Sequence, residues 1–277
     1  MNGMLKGIKP SLPLSTSYLF VIPNSHFFKQ WELYYQTAEL AADWRIAFNS
    51  AIAGELGGLE TLILMLGKGE KLLRNHDEWS ETLPNENRHT LHDIDQSLLP
   101  YWMKQISSMA PPITQYHVYP NLQSQLRLRL LWTCRLILIQ AMLQTIQYLE
   151  EHIEDELLLS TWYQQRTELE PDMVRVIGDM LLSCISTLIC PDFTQSAMNS
   201  LSEIPSWKGY HMFWPLCTSH HCLHQTVLRT TTCGDLPTLS ENLISILLEQ
   251  MGFEKAAALM LLHTIGDPRP QLWMLDS

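Results

Sequence analysis

The sequence predicts an all-α fold, a single-domain multi-helix bundle, and three observations carry that expectation. Ile52, Leu56, Leu59, Ile63 and Leu66 recur at steps of four and three, the spacing of one helical face. Residues 130–146 are apolar nearly all round, as in a helix buried on every side. No segment shows clean two-residue alternation between turn signals, so no sheet is expected. At 277 residues with 46% apolar content, the chain can bury a sizeable core and is within reach of one domain.

Residues 1–30 carry three prolines and little helical period, and read as an extended arm that packs Tyr18, Leu19, Phe20 and Phe27 onto the body. Residues 31–277 read as the helical domain. A helical stretch spans about 32–75, and Gly54, Gly57 and Gly58 imply a kink or a close helix–helix contact within it. Pro84 and the polar run Asn85-Glu-Asn-Arg88 mark a loop. A helix is expected over 89–109 on Leu91, Ile94, Leu98 and Trp102, bent at Pro100 and ended by Pro111 and Pro112. The longest helix is expected from Asn121 to past Glu150, as the centre of the bundle. Pro171 suits the first turn of a further helix that stops at Pro191. Thr238-Leu-Ser-Glu241 reads as a capping box opening a last helix over 240–263.

Only 17% of residues are charged and the net charge is −11. Direct nucleic-acid binding, driven by basic side chains neutralising phosphates, is not expected. Residues 17–23 are apolar but far too few to cross a membrane, and Arg135, Gln140 and Gln144 interrupt the 130–146 run, so no membrane span is expected. The first residues show no basic stretch followed by an apolar run. The expected location is therefore cytoplasmic or nuclear, with the six cysteines as reduced thiols.

Three blocks carry a resemblance. They are Leu91-His-Asp-Ile-Asp-Gln-Ser-Leu-Leu-Pro-Tyr-Trp102, Leu126-Arg-Leu-Arg-Leu-Leu-Trp-Thr-Cys-Arg-Leu-Ile-Leu-Ile139, and Gly209-Tyr-His-Met-Phe-Trp-Pro-Leu216 followed by Leu247-Leu-Glu-Gln-Met-Gly-Phe-Glu-Lys-Ala256. Over roughly 35–262 the chain resembles the regulatory, or middle-homology, domain of fungal zinc-cluster transcription factors, an all-helical body that follows a DNA-binding head. The resemblance implies a regulatory protein of secondary metabolism. The head of that family needs six cysteines in a Cys-x2-Cys-x6-Cys array followed by basic residues. The cysteines at 134, 184, 190, 217, 222 and 233 do not form it, so the expectation is a regulatory body without the part that touches DNA.

Several constellations bear on chemistry. Cys217, His220, His221 and His224 share a helical face, but one helix cannot wrap four ligands around an ion, and a helix end with Cys inward and His outward explains them. The run from Glu150 to Glu156 resembles the acidic motif of helical terpene cyclases, with Glu241, Ser245 and Glu249 as its counterpart. A solvated charge run at a helix end is the usual explanation, and Glu241 already serves as a capping partner. No metal or cofactor is therefore expected. Trp102, Trp132, Phe213 and Trp214 are candidates to line an apolar ligand pocket, with His92, Asp95 or His211 at its wall for proton transfer. The expected partner is a hydrophobic small molecule or a protein. The alternative is a cofactor-free isomerase or cyclase of terpenoid or polyketide biosynthesis recruited on this scaffold.

Overall fold

The computed structural model describes residues 26–94, 114–189, 206–224 and 233–245. Among them the architecture is all-α apart from one small ribbon. The elements are α1 (His26–Ile52), α2 (Gly58–Glu81), a 3-10 turn (Asn85–Asn87), β1 (Thr90–Asp93), β2 (Gln115–Val118), α3 (Leu122–His152), α4 (Glu156–Ile189), α5 (Ser206–His224) and α6 (Leu236–Ser245). No helix among the described residues is long and apolar enough to cross a membrane. Packing divides the chain into two compact units. The first holds described residues 26–84 and 134–173; the second holds 85–94, 114–133, 174–189, 206–224 and 233–245.

The first unit is built on the α1–α2 hairpin. The chain reverses at Gly57, whose φ of +79° is one that side-chain-bearing residues rarely adopt. Gly58 then starts α2 so close to α1 that a Cβ would lie 2.7 Å from the Cα of Ala51. Gly58 makes the expected close helix–helix contact, whereas Gly54 and Gly57, both at positive φ, split the 32–75 stretch into two helices, and Ile52 and Leu56 of the expected apolar stripe are exposed. Trp44, Leu62, Leu136, Ile139, Met142 and Leu143 form a core with almost no exposure. Arg135 ties α2 to α4, with Nη1 2.6 Å from Asp77 and Nε 2.7 Å from Asp172. His76 is buried, with its Nε2 3.4 Å from the Thr37 hydroxyl. Burial, then the Arg135 charge, pulls its pKa down to about 3.

In the second unit α3 and α4 run antiparallel, as the hydrogen bonds from Gln125 to Thr187 and from Thr133 to Met180 require. Asn121 caps α3 by accepting the Ser124 N–H at 2.8 Å. Leu131, Val176, Ile177, Met180, Leu181 and Ile185 are buried there, and α5 packs on α6.

Four expectations need correction. Thr90–Asp93 is a strand, not the start of a helix: it pairs antiparallel with Gln115–Val118, Leu91 facing His117 and His92 facing Tyr116. The longest described helix is α4, at 34 residues against 31 for α3, and Pro171 lies inside it. That helix is instead opened by Asp155, whose Oδ1 accepts the N–H groups of Leu157 and Leu158 at 2.9 and 3.2 Å. Thr238 is already helical in α6, and Glu241 reaches His224 at 3.4 Å rather than back to a cap. Residues 26–30 are the first turn of α1, and 1–25 lie outside the described residues.

Asp155 supplies a direct check on the start of α4. Replacing it by Ala leaves two helix N–H groups without their acceptor and is expected to cost about 1 kcal/mol of stability. Urea unfolding of the Asp155→Ala variant measures this, and an unchanged midpoint would show that the cap contributes nothing.

Candidate functional site

The densest polar chemistry among the described residues lies in the second unit. It begins with the ribbon. Gln115-Tyr-His-Val-Tyr119 is extended, so His117 and Tyr119 project on the same side, and Leu91 rather than His92 is the cross-strand neighbour of His117. The His117 side chain is only 2% exposed. Its Nδ1 is hydrogen-bonded to the Tyr119 hydroxyl at 3.0 Å, and its Nε2 lies 3.5 Å from Asp179 Oδ1 on α4. The hydroxyl of Ser186 donates to the His117 carbonyl and pins the strand to α4.

His89, between the 3-10 turn and β1, lays its ring on His117 with centroids 4.0 Å apart. Trp132 of α3 meets His89 edge-on at 5.6 Å and His117 at 5.8 Å. Ligand atoms of His89, His117 and Asp179 all lie within 4.8 Å of one another. His89 is half-buried and the Asp179 side chain is 24% exposed, so the cluster has a solvent-facing side.

Beneath it stands Arg129, itself 2% exposed. Its Nε donates to the Ser183 hydroxyl at 2.7 Å, and Nη1 to the His211 carbonyl at 3.2 Å. Nη2 donates to the Ser183 carbonyl and the Thr187 hydroxyl. Gln125, one turn before Arg129, donates to the same two groups of α4. A buried cation is costly unless its donors are satisfied, and this network engages four of the five guanidinium N–H groups with carbonyls and hydroxyls.

The electrostatic consequence is a set of neutral groups. Burial first, then His89 and the Arg129 charge, pushes the His117 pKa down to about 3. Burial also lowers His89, and burial with Arg129 lowers His211. Burial raises the Tyr119 hydroxyl well above its ordinary value, against the opposing effects of a Ser183 hydrogen bond and Arg129. At neutral pH the cluster therefore presents neutral imidazoles, a phenol that holds its proton and a carboxylate, beside an indole wall. Such a set can hydrogen-bond a polar group or ligate a metal, and its carboxylate can accept a proton.

The residues expected from sequence fall in different places. Trp132 is buried within the cluster, and His211 contributes its carbonyl to Arg129 while its ring is half-buried. Phe213 and Trp214 stack edge-to-face on α5 at 5.2 Å. His92 is exposed on the opposite side of the ribbon from His117, with Nε2 3.0 Å from the Thr90 hydroxyl. Asp95 and Trp102 lie outside the described residues.

The Cys217–His224 stretch forms the last turns of α5. Cys222 is buried as expected, but so is His220, while His224 is exposed and its ring, tilted by 51°, lies 4.2 Å from that of His220. The acidic run marks the α3–α4 junction, where Asp155 caps and Glu150 pairs with Arg166 at 2.9 Å. Sequence reasoning missed His89, His117, Tyr119, Arg129 and Asp179. One usable signal was present: Gln-Tyr-His-Val-Tyr has the β-branched and aromatic content of a short strand with His and Tyr on one face.

No family model, no curated protein and no solved structure matches the chain.

Proposed function

We propose that this chain is a small-molecule-responsive regulatory body, of the kind that follows the DNA-binding head in fungal zinc-cluster transcription factors, acting in secondary metabolism. One observation carries the reading. His89, His117, Tyr119 and Trp132 bring hydrogen-bonding groups and an aromatic wall together with Asp179 on a solvent-facing side. Recognition sites for small apolar molecules combine these parts: a hydrophobic wall for affinity and a few placed polar groups for orientation. The acidic balance of the chain supports a partner other than nucleic acid.

A second reading is favoured by one geometric fact, the His117 Nε2 lying 3.5 Å from the Asp179 carboxylate. The partly exposed Asp179 carboxylate would be the proton acceptor there, with the His117 imidazole beside it, so a cofactor-free isomerase or cyclase would use this same cluster.

Deletion of the gene, combined with incubation of the pure protein in extract of the deletion strain, separates the two. The regulatory reading expects altered transcript levels of biosynthetic genes, and a metabolite that is retained on the protein in equilibrium dialysis but not converted. Retention is expected to fall in the His89→Ala variant. Consumption of an accumulated intermediate by the pure protein would overturn this reading in favour of the enzyme.

A further inference from the structure

We propose that His89, His117 and Asp179 form a three-ligand site for a divalent transition-metal ion, with Zn2+ the expected occupant and one coordination position left open. The proposal concerns the same cluster but does not rest on its regulatory role, because it is read with the metal alone.

Geometry is the first argument. A tetrahedral zinc site with Zn–N and Zn–O bonds of about 2.0–2.2 Å holds its ligand atoms about 3.4 Å apart. His117 Nε2 and Asp179 Oδ1 are 3.5 Å apart, longer than a good hydrogen bond but at the spacing of two ligands on one ion. His89 offers the third ligand atom, within 4.8 Å of the other two. The three ligands come from three separate pieces of backbone, the link before β1, strand β2 and helix α4. They can therefore surround an ion from several directions, which the single-helix Cys217–His224 stretch cannot.

The outer partners are the second argument. Metal-bound imidazoles use their other ring nitrogen for a fixed hydrogen bond, which sets ring orientation. The Tyr119 hydroxyl engages Nδ1 of His117 in this way and leaves Nε2 as the nitrogen turned toward Asp179. Asp179 is held similarly: its Oδ2 accepts from Arg175 at 3.1 Å while Oδ1 faces His117.

The donor set decides the class of ion. Two imidazoles and one carboxylate suit zinc and its first-row neighbours; magnesium and calcium require more oxygen ligands. One feature acts against a cation, the Arg129 guanidinium nearby. Its donors are directed into Ser183, Thr187 and the His211 carbonyl, and Asp179 brings a carboxylate to the site itself. With three protein ligands, the open position would take water or an oxygen or nitrogen atom of a small molecule.

The test uses the full chain, stripped with chelator and dialysed. Titration with Zn2+ against a chromophoric chelator is expected to give one ion per chain, and Co2+ is expected to give the visible bands of a low-coordinate site. His89→Ala and Asp179→Asn change residues on the accessible side and are each expected to weaken Zn2+ binding by about 100-fold. Tyr119→Phe, which removes an outer partner only, is expected to weaken it by about 10-fold. A His220→Ala/His224→Ala variant is expected to bind normally. Circular dichroism of each variant separates lost binding from lost folding, and His89→Ala keeps the test open should a buried substitution unfold the chain. Absence of saturable Zn2+ binding overturns the proposal. So does binding that survives His89→Ala and Asp179→Asn.

Discussion

Acidification from about pH 7 to about pH 5 is expected to remove about 4 kcal/mol of folding stability. Two buried histidines supply this loss, and His89 and His211, also lowered by burial, act in the same direction. Burial, reinforced by Arg135, holds His76 at a pKa of about 3, and burial, reinforced by His89 and Arg129, holds His117 at about 3. In the unfolded chain each titrates near 6.5. Above that value neither state binds the protons, and stability is full. Between about 6.5 and about 3 the unfolded chain binds two protons that the native state refuses, so stability falls as pH falls. Each site contributes a slope of about 1.4 kcal/mol per pH unit, or about 2 kcal/mol by pH 5. Urea midpoints measured across this range, with chelator present to keep metal off His117, give the result directly. The His76→Leu variant should lose about half of the slope. A midpoint that does not move between the two pH values would show that these imidazoles are not held neutral.

The second large effect is expected at Trp44. Its indole is fully buried in the first unit, and Nε1 donates to the Thr145 hydroxyl at 2.7 Å. Trp44→Ala removes one of the largest side chains of that core, opens a cavity and deprives Thr145 of its donor. The expected loss is about 3–5 kcal/mol. Trp44→Phe fills much of the space and loses mainly the hydrogen bond, for about 1–3 kcal/mol. Gly69 supplies an internal control. A Cβ there would stand 2.9 Å from the indole Cη2 and Cζ3 and 3.0 Å from Met142 Sδ. Gly69→Ala is therefore destabilising beside the native indole and better tolerated in the Trp44→Phe background, where those two ring carbons are gone. Additive losses in the double variant would refute the packing account, and urea unfolding of the native protein, the two single variants and the double variant measures it.

The elements legible in the sequence were those specified by local pattern. The apolar run from Leu130 to Ile146 announced a buried helix, and Gly58 announced the tight approach of α1 and α2. The ribbon was hidden because each strand has only four residues, too few for alternation to register, and because Leu91 and Ile94 mimic a helical step. Pro171 misled for a related reason: a proline suits a helix start, yet α4 accommodates it in its interior.

The candidate site was less legible still. His89, His117 and Asp179 are distant in sequence and meet only because β2 is pinned to α4 through Ser186 and the His117 carbonyl. Arg129 reads in the sequence as one member of an Arg-and-Leu helix. Nothing local reveals that it turns inward onto Ser183 and Thr187. Trp132 was singled out because its aromatic bulk marks it without reference to any partner.

The buried cysteines have a practical consequence. Cys134 lies in the first unit and Cys184 in the second, and burial raises their thiol pKa values to about 12 and about 11. A thiol reagent attacks the thiolate, so neither residue reacts while its surroundings stay closed. Modification then proceeds only through moments of opening. The two sulfurs act as separate clocks, each timing how often its own half of the chain lets solvent in.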